Sequence, residues 1–156
     1  MKNPCRLAAL LSVPCLVFGL ACCNSAAYAA PTSAIAVLRA AGCHLPAHAT
    51  LGTPASRSDW YGTYGPDVRA QGGCNINETV GYNFYVVKSG VSALTAVEAH
   101  QAWRNTGGDG TGLEYYVYSG NWFIYVSCNG VCPAKSVERL AQRTGGTLYK
   151  VRGING

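Results

Sequence analysis

Hydrophobic and polar positions divide this chain into an apolar leader, a long stretch of weak periodicity and a more regular second half. The leader is an apolar run from Leu7 to Ala21, interrupted by Pro14 and headed by Lys2 and Arg6. Thr32–Ala41 then reads as a short helix, with Thr32 or Ser33 as its cap and Gly42 as its terminator. From Cys43 to Thr79, Gly, Pro, Ser and Asn leave little apolar periodicity, and irregular chain of that length is often functional.

The second half alternates clearly. Tyr82–Lys88 is aromatic and β-branched and predicts a strand. In the next helix Thr95 and Glu98 have the spacing of a capping box, and Ala93, Ala96, Val97, His100 and Trp103 share one stripe. Asn105–Gly112 is a Gly-rich loop; Leu113–Tyr118 and Trp122–Ser127 pair as a hairpin across Gly120-Asn121. Pro133 opens a second helix at its first position, with Ala134, Val137, Leu140 and Ala141 as a short stripe and Gly145-Gly146 as its stop. A loop leading into a strand is the alternative there. Thr147–Arg152 is a last strand. The pattern predicts an α+β domain with an antiparallel, aromatic-rich sheet, and the order βαββαβ from Tyr82 suits a ferredoxin-like one.

The leader changes the compartment. Basic head, apolar run and small residues up to Ala27-Tyr28-Ala29 predict a cleavable export signal over residues 1–29, leaving 30–156 as a single secreted domain. The run falls short of the roughly 20 residues a span needs, so no stable membrane span is expected. Gly19-Leu20-Ala21-Cys22 resembles a lipidation box with its large apolar residue one place late, so simple cleavage ranks first. The destination is outside the cell, or the periplasm.

Export removes Cys5, Cys15, Cys22 and Cys23 and leaves Cys43, Cys74, Cys128 and Cys132. An even set in an exported chain predicts two disulfides; proximity in sequence favours Cys43–Cys74 with Cys128–Cys132. No CxxC or close histidine pair suggests a metal site, and three residues between Cys128 and Cys132 exceed the two of redox motifs. Without Lys2 and Arg6 the basic side chains number ten against seven acidic, a mild net +3 that implies no nucleic-acid partner.

Candidate chemistry is sparse. Serine nucleophile elbows, phosphate loops and HExxH motifs are missing from the sequence. His44 and His48 fall in a Pro-containing loop, and His100 reads as a packing residue of its helix stripe. Among the acids, Glu98 has its capping role, Asp109 a turn, and Glu114 one face of a strand. Glu138 stands apart, between a Cys-bounded loop and a Gly-Gly pair, and its plain reading is an exposed helical residue.

Five pieces occur in a telling order: Ser56-Arg57-Ser58-Asp59; Pro66-Asp67-Val68-Arg69-Ala70-Gln71-Gly72-Gly73; Tyr85-Val86-Val87-Lys88-Ser89; the tyrosine-rich pair around Glu114–Tyr118 and Trp122–Val126; and Glu138 before Gly145-Gly146. This order resembles the catalytic chain of the cholera, heat-labile enterotoxin and pertussis group of ADP-ribosyltransferases, over Ser56 to Gly153. The resemblance implies two small packed antiparallel sheets with short helices and an NAD cleft between them. It implies an exported mono-ADP-ribosyltransferase toxin or effector acting on a host protein, with a delivery subunit as an expected partner. Glu138 would then stabilise the oxocarbenium-like centre formed as nicotinamide leaves NAD. Arg57 would hold the phosphate side, Asp59 would orient Arg57, and Ser89 and Tyr85 would line the nicotinamide end. Val87 replaces the family's first strand hydroxyl. Ser136 stands where arginine-modifying members carry Glu or Gln, which points to another acceptor, or to NAD hydrolysis alone.

The alternative is a non-catalytic binding protein: an inhibitor, an immunity protein or an envelope-polymer binder. Tyr116, Tyr118, Phe123 and Tyr125 would form its aromatic sheet face, with Lys150 and Arg152 lining the same sheet. If the N-terminal helix covers that face, the tyrosines are packing.

Overall fold

The computed structural model describes residues 33–52, 68–106 and 112–153. The export signal, Arg57 and Asp59 lie outside the described residues.

Local signals set the first helix. α1 (Ala34–Ala41) starts where the Ser33 side chain accepts from the Ala36 amide and stops at Gly42, whose φ of 102° suits glycine. Cys43 comes next and is bonded to Cys74 on β1 (Val68–Asn75), tying the helix end to a sheet edge. β2 (Val80–Val87) pairs antiparallel along β1. β1 lies inside the stretch expected to be irregular. Its Gly72-Gly73 pair hides it from propensity, yet a Cβ at Gly73 would collide with the Tyr82 carbonyl oxygen, so close pairing requires glycine there.

α2 (Ala93–Thr106) is capped by Ser92, which accepts from the Thr95 amide, and not by Thr95 as the capping-box spacing suggested. β3 (Leu113–Ser119) and β4 (Trp122–Cys128) form the expected hairpin, with Gly120 at φ 52° in its two-residue turn. After the Cys128–Cys132 disulfide, α3 (Ala134–Thr144) does form; Pro133 is its cap rather than its first residue. β5 (Thr147–Arg152) ends the described fold. Both disulfides have the expected connectivity.

The strands make one antiparallel sheet in the order β1-β2-β4-β3-β5. The two packed sheets implied by the toxin resemblance are not what the described residues form. A ferredoxin-like sheet is also excluded, since it would place β5 beside β2, whereas β5 pairs with β3. Handedness explains the layers. The crossovers β2-α2-β3 and β4-α3-β5 each join parallel strands with one strand between them and advance the same way across the sheet, but their strands run oppositely. Right-handed connections therefore place the two helices on opposite faces. Val137, Leu140 and Ala141 of α3 join Val37 and Leu38 of α1 over Phe84, Val86, Tyr115, Val117, Ile124 and Val126. On the other face Ala96 and Val97 of α2 cover Tyr85, Val87, Tyr116, Phe123 and Tyr125. The result is an α/β/α sandwich with two cores.

Candidate functional site

The aromatic side of the hairpin is a core and not a platform. Tyr116 and Phe123 are fully buried and Tyr125 nearly so, and the cover is α2 rather than the N-terminal helix. Lys150 lies across from Tyr115 and over its ring, so Lys150 and Arg152 belong to the α1/α3 face and not beside those tyrosines.

Within this core sits a polar chain whose members look unrelated along the sequence. Arg104 Nε donates to Glu114 Oε1 at 2.7 Å, and the Tyr116 hydroxyl donates to Glu114 Oε2 at 3.2 Å. His100 Nδ1 lies 3.1 Å from the Tyr116 oxygen. Tyr116 has one proton and gives it to Glu114, so its oxygen accepts, which assigns the His100 proton to Nδ1. The Arg104 guanidinium also stacks 4.7 Å from the centre of the Tyr125 ring. His100 is 2% exposed and Glu114 4%. Burial, followed by the nearby Glu114 carboxylate, raises the Tyr116 phenol and keeps it a donor. Burial first, and then the Arg104 charge, lowers the His100 pKa to about 3. These groups are paired and covered, and their arrangement locks α2 to β3.

That locking predicts an acid response. Folded His100 stays neutral down to about pH 3, whereas in the unfolded chain it takes a proton below about pH 6.5. The unfolded state binds more protons in that window, so stability falls as pH drops through it and is unaffected above it. Relative to His100→Gln, the wild-type chain should lose on the order of 3 kcal/mol between pH 7 and pH 4, as read by urea unfolding at each pH. Parallel pH profiles for the two proteins would show that His100 is not the buried neutral group described.

Of the residues that the toxin resemblance implicates, Glu138, Ser89 and Tyr85 are described. Glu138 is exposed on α3, on one side of the sheet, while Tyr85 is buried on the other side against Phe123. Ser89 lies in an exposed turn after β2. The meeting of Arg57 and Asp59 with any of them lies outside the described residues. No group of three or more His, Cys, Asp or Glu among the described residues is placed to hold a metal ion.

The surface with open chemistry is the corner of the α2 face that α2 leaves bare. Cross-strand registers place Gly73 beside Asn83, Asn83 beside Tyr125, Asn75 beside Gly81, and Gly81 beside Ser127. Along β2 this face changes from Gly81 and Asn83 to Tyr85 and Val87 where α2 begins to cover it. A concavity of about 750 Å³ opens over the corner and continues along the β1–β2 turn and Asn129. Asn75 and Asn83 are exposed, and with Ser127 they make no side-chain hydrogen bond among the described residues. Asn77 spends its carbonyl oxygen on the Thr79 amide and hydroxyl and on the Val80 amide, which fixes the turn at the rim. The sequence carried one signal for this site, the small and polar pair Gly81-x-Asn83 at the start of an otherwise apolar strand. Only the pairing with β1 and β4 shows that Gly73, Asn75 and Ser127 join it.

No protein-family model, curated protein or solved structure matches the chain. Two disulfides suit an exported domain, and no described helix is long and apolar enough to cross a membrane.

Proposed function

We propose that this chain is an exported, non-catalytic binding protein whose ligand seats on the bare corner of β1, β2 and β4. The observation that carries this reading is the open concavity lined by Asn75, Asn83 and Ser127, whose side chains make no hydrogen bond among the described residues. ADP-ribosyl transfer, the activity implied by the toxin resemblance, draws less support. Its carboxylate Glu138 and its nicotinamide-side residue Tyr85 are separated by the sheet. Among the described residues, the concavity offers no Lys or Arg for a pyrophosphate.

Isotope-labelled mature protein titrated with solubilised envelope material, and separately with NAD, tests this. The side-chain amide signals of Asn75 and Asn83 should move with the envelope material, while NAD should move neither and release no nicotinamide. Nicotinamide release that disappears in Glu138→Ala would overturn the binding reading in favour of the enzyme. So would an NAD-induced shift of Ser89 and Tyr85.

A further inference from the structure

We infer that the ligand of this corner is a neutral glycan, a chain of uncharged sugars bearing hydroxyl or acetamido groups; the inference rests on the binding reading above. The chemistry of the lining narrows the choice stepwise. On the bare face the side chains are amides and a hydroxyl: Asn75 and Asn83 flank glycines, and Ser127 closes the row. Val80 and Tyr82, which also border the concavity, point their side chains into the opposite core. A ligand here therefore gains little from apolar burial, and a hydrophobic partner has no driving force.

Charge excludes a second class. Among the described residues, Glu78 is the one ionisable acid or base around the concavity apart from the Tyr82 phenol, and no described cation lines it. A phosphate, sulfate or uronic acid would meet a carboxylate and find no counter-charge. What remains is a neutral ligand that both donates and accepts. A carboxamide offers a carbonyl acceptor and an NH₂ donor at a separation that suits adjacent sugar hydroxyls, each itself donor and acceptor. Gly73 and Gly81 pair with Asn83 and Asn75 across β1 and β2, and the Asn75 side-chain oxygen lies over Gly81, so a sugar meets the two amides rather than bare backbone. Among the described residues no aromatic side chain lines the bare face to stack a sugar, so the described part of the corner holds each unit by hydrogen bonds. Affinity must come from length, with successive sugars engaging the corner and the turn around Asn77 and Asn129.

The test uses the mature protein and soluble probes: neutral β-linked N-acetylhexosamine and hexose oligosaccharides, uronic-acid oligosaccharides of equal length, inorganic phosphate, and uncharged Asn/Ser-rich peptides. Neutral oligosaccharides should move the Asn75 and Asn83 side-chain amide signals saturably and bind more tightly as the chain lengthens. Asn83→Leu, which keeps side-chain size on an exposed position, should weaken them about tenfold, the loss of one good hydrogen bond. Asn83→Asp should weaken them while leaving the fold's backbone signals in place. Saturable shifts of the same amides by the peptides, the acidic sugars or phosphate, and not by neutral sugars, would overturn the glycan inference and leave the binding corner standing. If no probe moves Asn75 and Asn83, or shifts appear only elsewhere, the glycan inference and the site fall together.

Discussion

Arg104→Met should destabilise the fold by about 3–5 kcal/mol, because it leaves the Glu114 carboxylate buried without its partner. The pair is worth little as a salt bridge in itself; the cost lies in an uncompensated charge under α2. Arg104 is the basic residue of the last α2 turn, and Glu114 is on β3, so the pair clamps the end of the helix onto the sheet. Released, that end should uncover Tyr116 and Tyr125, and a dye that binds exposed apolar surface should report it. In thermal unfolding the loss corresponds to a drop on the order of 10–20 °C for a domain of this size. The double variant Arg104→Met/Glu114→Gln removes both charges and keeps an acceptor for the Tyr116 hydroxyl. It should recover more than half of the loss. A single variant within about 1 kcal/mol of wild type, measured by urea unfolding, would mean that solvent already screens the pair.

How far such features were legible in the sequence depends on how local their causes are. α1 could be read from Ser33 and Gly42, the hairpin from Gly120-Asn121 between two aromatic runs, and β5 from the Thr147–Arg152 run beyond the Gly145-Gly146 stop. Each is decided within a few residues. β1 was not legible, because Val68–Asn75 has poor strand propensity and forms through pairing with β2 and the bond from Cys74 to Cys43. The Arg104–Glu114 clamp failed for the same reason: its partners occupy different elements, and Glu114 in isolation looks like a surface acid. The number of sheets was equally non-local, since it depends on β1 and β5 adding to opposite edges of one central group. The binding corner combines both cases. Asn83 and Gly81 stand in a readable strand, but their neighbours Gly73 and Ser127 come from two others. Of the ordered pieces that resemble an ADP-ribosyltransferase, Glu138 and Tyr85 fold onto opposite sides of the sheet, while Arg57 and Asp59 lie outside the described residues.

The same distinction between local and long-range closure separates the two disulfides. Replacing Cys43 and Cys74 together by Ala should cost about 3.5–4 kcal/mol, and replacing Cys128 and Cys132 together about 2 kcal/mol, since the loop-closure contribution grows with the chain enclosed. The sequence separations are 31 and 4. Native contacts widen the gap. Cys43 is buried in the core that α1 shares with α3, and its bond is the covalent link between that layer and the edge strand β1. Losing it frees β1 from α1 and so loosens Gly73 and Asn75, the β1 part of the binding corner. The short loop closed by Cys128–Cys132 hands the chain from β4 to α3, and both of those elements keep their packing without it. Equilibrium unfolding of the two double variants should therefore rank Cys43/Cys74 as the costlier loss. Ligand-induced shifts at Asn75 should weaken in that variant and persist in the other. Equal losses, or a larger loss at Cys128/Cys132, would mean that β1 is held by its pairing with β2 and not by the bond to α1.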